Sequence, residues 1–483
     1  MCNKKKLDVI GDFPEHLRPY TDEQIPAAMH RIAGHRYFPD VAAMIFPGIS
    51  PEEAIRKVLE VKTVYQFQME WMYAFNNRVI ESTMESFTYD FSPGIRPDKG
   101  YLYISNHRDI ILDTSLLQMA FVYQGLPTSM ITYGDNLIVN QLADDLARSN
   151  KMFKVVRKGN KRELFKNSAL LSEFLRSCIR QGNSCWIAQR NGRTKDGLDK
   201  TASALVKMMG MSGMRASGDS IAAGGAIAAG DAIAAGRTFA AGDAIAAGRT
   251  FAAGDAIAAG RTFAAGDRLK DLVENYASLN IVPVAISYEY EPCDFLKTKE
   301  LLAAHNAPGD KPYEKDEDED LNSIITGITQ WKGNVHIHVC DPLTREELQA
   351  CAECPGHSSG LGHGPGERIQ SGDQRMKSSG TGRHGTQDFN AFAANLCALI
   401  DNKIRQGYKC FPSNYIAYDL LHGTSTHKEQ YTDQDKAAFL KRLESLPEMV
   451  FGSNSDKLLP EVLKAAQHIF LKIYANPRSA AHS

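Results

Sequence analysis

The chain has 483 residues, 43% hydrophobic and 23% charged, with a formal net charge of −2. That length allows about two to three domains with a large buried core, and the near-neutral charge speaks against a nucleic-acid-binding protein. No apolar run reaches the roughly 18 residues of a membrane span, the basic start MCNKKK lacks the apolar core of a signal peptide, and nine irregularly spaced cysteines fit a reducing cytoplasm.

Prolines at 14, 19, 26, 39 and 47 keep the first helices short. Ser50-Pro51-Glu52-Glu53 then opens a helix with a serine cap, a first-turn proline and acids at the positive end of the dipole. Its apolar pattern predicts one long helix to about Phe87, or two broken near residues 75–77, completing an N-terminal helical region over 1–95. The aromatic stripe of that helix reads as core packing, with a lipid-facing surface as the alternative.

Residues 96–345 alternate between strand and helix. Strands are predicted at 100–105, 127–132, 153–157, 184–189, 281–288 and 334–340. Helices are predicted at 114–124, 136–148, 163–181, 199–210 and 268–278. This is an α/β pattern, a mostly parallel sheet covered by helices on both faces, and sites in such sheets lie beyond the carboxyl ends of the strands. Two segments stand apart. A low-complexity insertion at 215–267 repeats Gly-Asp-Ala-Ile-Ala-Ala and Gly-Arg-Thr-Phe-Ala-Ala; it reads as loosely ordered rather than as a short β-helix. A Gly/Ser/His-rich insertion at 346–387 reads as disordered, and the zinc-like set Cys351, Cys354, His357 and His363 within it matches no strong ligand spacing. Residues 388–483 form a C-terminal helical cap, with helices at 388–405, 433–446 and 457–474 and an aromatic stretch at 414–421.

Two segments carry chemistry. Residues 101–113, YLYISNHRDIILD, run from a buried strand into His107, followed by Asp109 and Asp113. An imidazole at a strand end with a carboxylate to fix its tautomer is the arrangement of a general base; a histidine that only caps the next helix is the plainer alternative. Asp109 suits the helix start, which leaves Asp113 to orient the ring. Residues 184–197, SCWIAQRNGRTKDG, run from a strand into a turn where Gly192 and Gly197 permit close approach and Arg190, Arg193 and Lys195 supply charge for an anion. Arg157, beside Lys158, Lys161 and Arg162, again places cations after a strand. A solvated basic surface would look the same.

Taken in order, these blocks resemble the glycerophospholipid acyltransferase family, which includes lysophosphatidic acid and glycerol-3-phosphate acyltransferases. The likeness covers about residues 95 to 290. SNHRDIILD resembles the family's His-to-Asp block, with five residues rather than four between His107 and Asp113. The strand ending at Arg157 resembles the second block, and Asn191-Gly192-Arg193-Thr194 resembles the third, with Asn191 where the family has glutamate. The apolar, proline-containing strand Ile281-Val282-Pro283-Val284-Ala285-Ile286 resembles the fourth.

The resemblance implies transfer of a fatty acyl group from acyl-CoA or acyl-carrier protein to a hydroxyl of glycerol-3-phosphate or a lysophospholipid, in phospholipid biosynthesis. It implies His107 and Asp113 as the catalytic pair, and Arg157, Asn191, Gly192, Arg193 and Thr194 at the acceptor. No cofactor or metal is needed, because the thioester is already activated. Peripheral attachment to the cytoplasmic face of the membrane follows, through the 51–87 helix or residues 27–47. Acylation of an amino-acid-derived lyso-lipid, a non-catalytic lipid-binding role and a zinc-binding adaptor are the alternatives.

Overall fold

The computed structural model describes residues 13–138, 140–157, 159–212, 265–306, 319–353, 381–452 and 459–481. Their seven-stranded sheet comprises β1 (Ser86–Phe91), β2 (Leu102–Ser105), β3 (Met130–Gly134), β4 (Met152–Val155), β5 (Cys185–Ala188), β6 (Ile281–Tyr288) and β7 (Asn334–Val339). Across the sheet the order is β1-β7-β6-β2-β5-β3-β4. The five strands from β6 to β4 run parallel to one another. β7 is antiparallel to β6 and holds β1 parallel to itself. The sheet is thus mostly parallel, as expected, with a reversed pair at one edge.

Both faces of the sheet are packed. In β2, Leu102 and Ile104 join one apolar core with Phe174, Val206 and Phe392. Tyr101 and Tyr103 point the other way, into a core with Leu117, Phe121 and Ile337. A strand covered on both sides reads as an unbroken apolar run, which is why YLYIS stood out. The N-terminal helices gather their own core around Phe67 and Trp71, so the aromatic stripe is core packing. The C-terminal helices enclose another around Phe439, Phe470 and Tyr474.

The helix expected over 51–87 is shorter and interrupted. Ser50 caps Pro51–Leu59, its Oγ accepting from the Glu53 N–H at 3.2 Å. Thr63 then starts a second segment, Val64–Phe67, which passes through a wider π turn at Gln68–Met72 into Tyr73–Thr83. Residues 86–91 leave the helix altogether and form β1. There Phe87, Tyr89 and Phe91 alternate with more exposed residues, the period of an edge strand.

Helices Asp294–Asn306, Glu319–Thr329 and Arg345–Glu353 were not anticipated, nor was the short Leu446–Phe451. The first buries Asp294, Lys297, Thr298 and Glu300, which hides its inner face from a hydrophobic pattern. The third corrects the expected disordered insertion at its start, where Cys351 packs into the core. Helix Thr381–Gly407 likewise begins inside that insertion, and the aromatic stretch at 414–421 lies within helix Pro412–His422. The repeat before residue 265, and Cys354, His357 and His363, lie outside the described residues. Among the described residues no helix is long and apolar enough to cross a membrane, and no group of three His, Cys, Asp or Glu is placed to hold a metal ion.

Candidate active site

The parallel strands β2, β5, β3 and β4 end on the same side of the sheet, and the segments that follow them supply the polar residues. At the end of β2, Asn106 extends the ladder with its side chain: Oδ1 accepts from the Ile286 N–H at 2.8 Å, and Nδ2 donates to the Ile286 carbonyl at 2.9 Å. The chain then turns into helix Leu112–Tyr123. His107 sits on that turn, 13% exposed, with Nδ1 2.9 Å from Oδ2 of the fully buried Asp113. The Trp186 ring meets the imidazole edge-on at 6.0 Å.

Asp113 is fixed from every side. Its Oδ2 also accepts the N–H of Arg108 at 2.6 Å and of Asp109 at 3.0 Å, while Oδ1 accepts the Tyr288 hydroxyl at 2.9 Å. These two backbone bonds fold the turn back onto Asp113 and accommodate the five-residue spacing. A carboxylate that takes only donors makes Nδ1 the protonated ring nitrogen, so Nε2 carries the lone pair. Nε2 makes no hydrogen bond among the described residues. Asp109 has a different place. Its Oδ1 accepts the N–H groups of Ile111 and Leu112 at 2.9 and 2.8 Å, capping the helix start. Burial, then the charge of Asp113, raises its pKa.

The turn after β5 lies against this base. The Thr194 N–H donates to the His107 carbonyl at 2.6 Å, and the Gln189 N–H to the Ser105 carbonyl at 2.9 Å. Gly192 has φ +75, with open space where a Cβ would stand. Asn191 is exposed at the tip. Arg193 points inward and is buried; Nη2 donates to Ser323 Oγ at 3.0 Å and lies 3.5 Å from Glu300 Oε1, while the buried Nη1 has no hydrogen-bond partner among the described residues. Burial opposes its charge, but Cys293, Glu300, Asp109 and Asp320 favour it, and the balance leaves its pKa raised.

Thr194, expected at the acceptor, instead donates its hydroxyl to Asp199 Oδ1 at 2.8 Å. Arg157 stands apart, following β4 at the far edge of the sheet. Its guanidinium lies against Gly134, where a Cβ would come within 2.6 Å of Cζ. Burial lowers its pKa, partly offset by Asp135 and Asp320. Helix Glu319–Thr329 links the two arginines: Asp320 acts on both, and Ser323 binds Arg193. The structure therefore brings His107, Asp113, Gly192, Arg193 and Thr194 together, and among the described residues helix Glu319–Thr329 connects them to Arg157.

Beneath the site lies a buried network that the sequence did not announce. Arg108, fully buried, pairs with Asp199 Oδ2 at 2.6 Å and Glu291 Oε2 at 3.2 Å. Lys297 Nζ pairs with Glu291 Oε1 at 2.6 Å and donates to the Arg108 carbonyl at 2.7 Å. Two cations thus meet two carboxylates, which is how buried charge is tolerated. The acids and lysine belong to the turn after β5, the end of β6 and an unpredicted helix; polar residues in those settings resemble ordinary surface.

No protein-family model and no curated protein matches the chain. Among solved structures it is similar to the 1-acyl-sn-glycerophosphate (LPA) acyltransferase PlsC from Thermotoga maritima, at 13% identity and a TM-score of 0.25, over 67% of this chain and 85% of that one.

Proposed function

We propose that the protein is an O-acyltransferase that moves a fatty acyl group from acyl-CoA or acyl-carrier protein to a hydroxyl of glycerol-3-phosphate or a lysophospholipid. The observation that carries this reading is the His107–Asp113 pair, with no hydrogen bond to Nε2 among the described residues, next to the turn that holds Arg193. The order of the four sequence blocks supports it further.

In the proposed reaction Nε2 of His107 removes the proton of the acceptor hydroxyl as its oxygen attacks the thioester carbonyl carbon. Asp113 stabilises the resulting imidazolium. The tetrahedral intermediate expels the thiolate, which takes the proton back from His107, giving an ester and a free thiol. The acceptor phosphate is received at the Gly192–Arg193 turn, where the Gly192 backbone is open and the buried Arg193 guanidinium supplies positive charge behind it, and Arg157, set apart at the edge of the sheet, adds charge at longer range. The acceptor and product are bilayer lipids or their precursors, so the protein works at a membrane surface, at the cytoplasmic face.

A second reading, an amino-acid-derived lyso-lipid as acceptor, is favoured by Glu300, which already lies against Arg193 and forms an ion pair with Lys195. A third, non-catalytic lipid binding, is favoured by Asn191 in place of a glutamate. One panel separates the three. Purified protein is offered each thioester carrier with glycerol-3-phosphate, lysophosphatidate and a lyso-aminolipid, and ester products are identified by mass spectrometry. Ester on a phosphate acceptor supports the proposal, ester only on the aminolipid replaces it with the second reading, and no ester with any pair leaves only the third.

A further inference from the structure

We infer that Asp199 is the positioning residue that locks the base-bearing segment to the arginine-bearing turn, a role that rests on the reading of His107 as the base. The carboxylate takes donors from two parts of the chain. Oδ2 accepts Arg108 Nη2 at 2.6 Å and Asn106 Nδ2 at 3.2 Å, from the residues on either side of His107. Oδ1 accepts the Thr194 hydroxyl at 2.8 Å, from the residue after Arg193. Thr194 in turn gives its N–H to the His107 carbonyl. The loop is closed: His107, its two neighbours, Thr194 and Asp199 form one ring of contacts, and the Asp199 side chain is only 9% exposed.

The turn also touches the base segment directly, through the Thr194 N–H to the His107 carbonyl and Arg108 Nη2 to the Gly197 carbonyl at 3.5 Å, but Asp199 is the side chain that takes donors from both segments. Asn106 is anchored to β6, and Arg108 keeps Glu291 whether or not Asp199 is present. Thr194 has Asp199 for its hydroxyl. Removing the carboxylate therefore loosens the turn against the base, leaving the backbone bond from Thr194 to His107 unsupported by side chains, without stripping Arg108 of its last counter-charge. The base and the anion-binding arginine must hold a fixed separation if one acceptor is to present its phosphate to Arg193 and its hydroxyl to Nε2, and small misplacements in such pairs are costly.

The test compares Asp199→Ala, Asp199→Asn and Thr194→Val with the wild type. Asparagine keeps the shape: its oxygen accepts from Arg108 and Asn106, and its NH2 donates to Thr194, whose hydroxyl then accepts. Expected are an acceptor KM raised about tenfold or more in Thr194→Val with the thioester KM unchanged, a fall in kcat as well in Asp199→Ala, and recovery to within about threefold in Asp199→Asn. A second readout does not depend on turnover: acylation of His107 by diethyl pyrocarbonate, mapped by mass spectrometry. It should speed up about fivefold in Asp199→Ala as the turn loosens over Nε2, and less than about twofold in Asp199→Asn. Wild-type kinetics and labelling in a folded Asp199→Ala overturn the inference, as does an Asp199→Asn variant as impaired as alanine. If the wild type transfers no acyl group, the proposed function has failed, and the labelling ratio still decides whether Asp199 holds the two segments together.

Discussion

Asp113→Asn isolates the charge behind the ring. The amide fits the space: its oxygen can take the N–H groups of Arg108, Asp109 and the imidazole, while its NH2 faces the Tyr288 oxygen, which can accept. What is lost is the negative charge 2.9 Å from Nδ1. With charge centres about 4 Å apart and an effective dielectric of about 20, an imidazolium loses about 4 kcal/mol of stabilisation, or roughly a thousandfold in kcat. The acceptor KM should move little, because no phosphate contact changes. The assay is release of free thiol from acyl-CoA in the presence of acceptor, with circular dichroism to confirm the fold. Because Asp113 acts through the ring, the double variant with His107→Ala should be no slower than His107→Ala alone. A kcat within about threefold of wild type in Asp113→Asn, or a double variant slowed by the product of the two single effects, refutes the coupling.

Other outcomes follow from single contacts. Arg193→Ala should raise the KM of a phosphate acceptor by roughly ten- to a hundredfold and leave a phosphate-free acceptor almost unaffected; equal losses on both in steady-state assays contradict its place at the phosphate. In Gly327→Ala the new Cβ would stand 2.3 Å from Asp109 Oδ2, both buried, so the helix over the site must shift at a cost of about 1–3 kcal/mol; an unchanged melting temperature argues against that packing. Burial pushes the Asp401 carboxyl from 3.8 up to about 6, although Thr201 donates to it. Its ionisation therefore opposes folding: the cost is absent below about pH 4, grows to about pH 6 and is complete above. Asp401→Asn should add up to about 2–3 kcal/mol at pH 7.5 and almost nothing at pH 4, read by urea denaturation; equal effects at both pH values contradict the linkage.

The parallel core of the sheet was legible because its strands are covered on both faces and read as unbroken apolar runs ending in polar turns. β1 was not, since Phe87, Tyr89 and Phe91 continue the aromatic content of the preceding helix and only their period of two marks an edge strand. Helix Asp294–Asn306 was hidden for the opposite reason: its inward face carries Lys297, Thr298 and Glu300, paired out of sight of water. At the candidate site, His107, Asp113 and Arg193 announced themselves by type and by position after strands. Asp199, Glu291 and Tyr288 did not, because their importance lies in partners about 90 to 180 residues away in the chain. The turn at Asn191–Thr194 shows the limit within one motif: Arg193 turns inward, Thr194 ties the loop to the base, and Asn191 stays at the exposed tip.

The account depends most on Nε2 of His107 taking a proton from an alcohol. The direct measurement is acyl transfer by purified His107→Ala beside the wild type, with long-chain acyl-CoA and acyl-carrier protein as donors and glycerol-3-phosphate and lysophosphatidate as acceptors. A rate lower by roughly a hundred- to ten-thousandfold, with an unchanged melting curve, is the predicted result. Transfer by His107→Ala at the wild-type rate contradicts it.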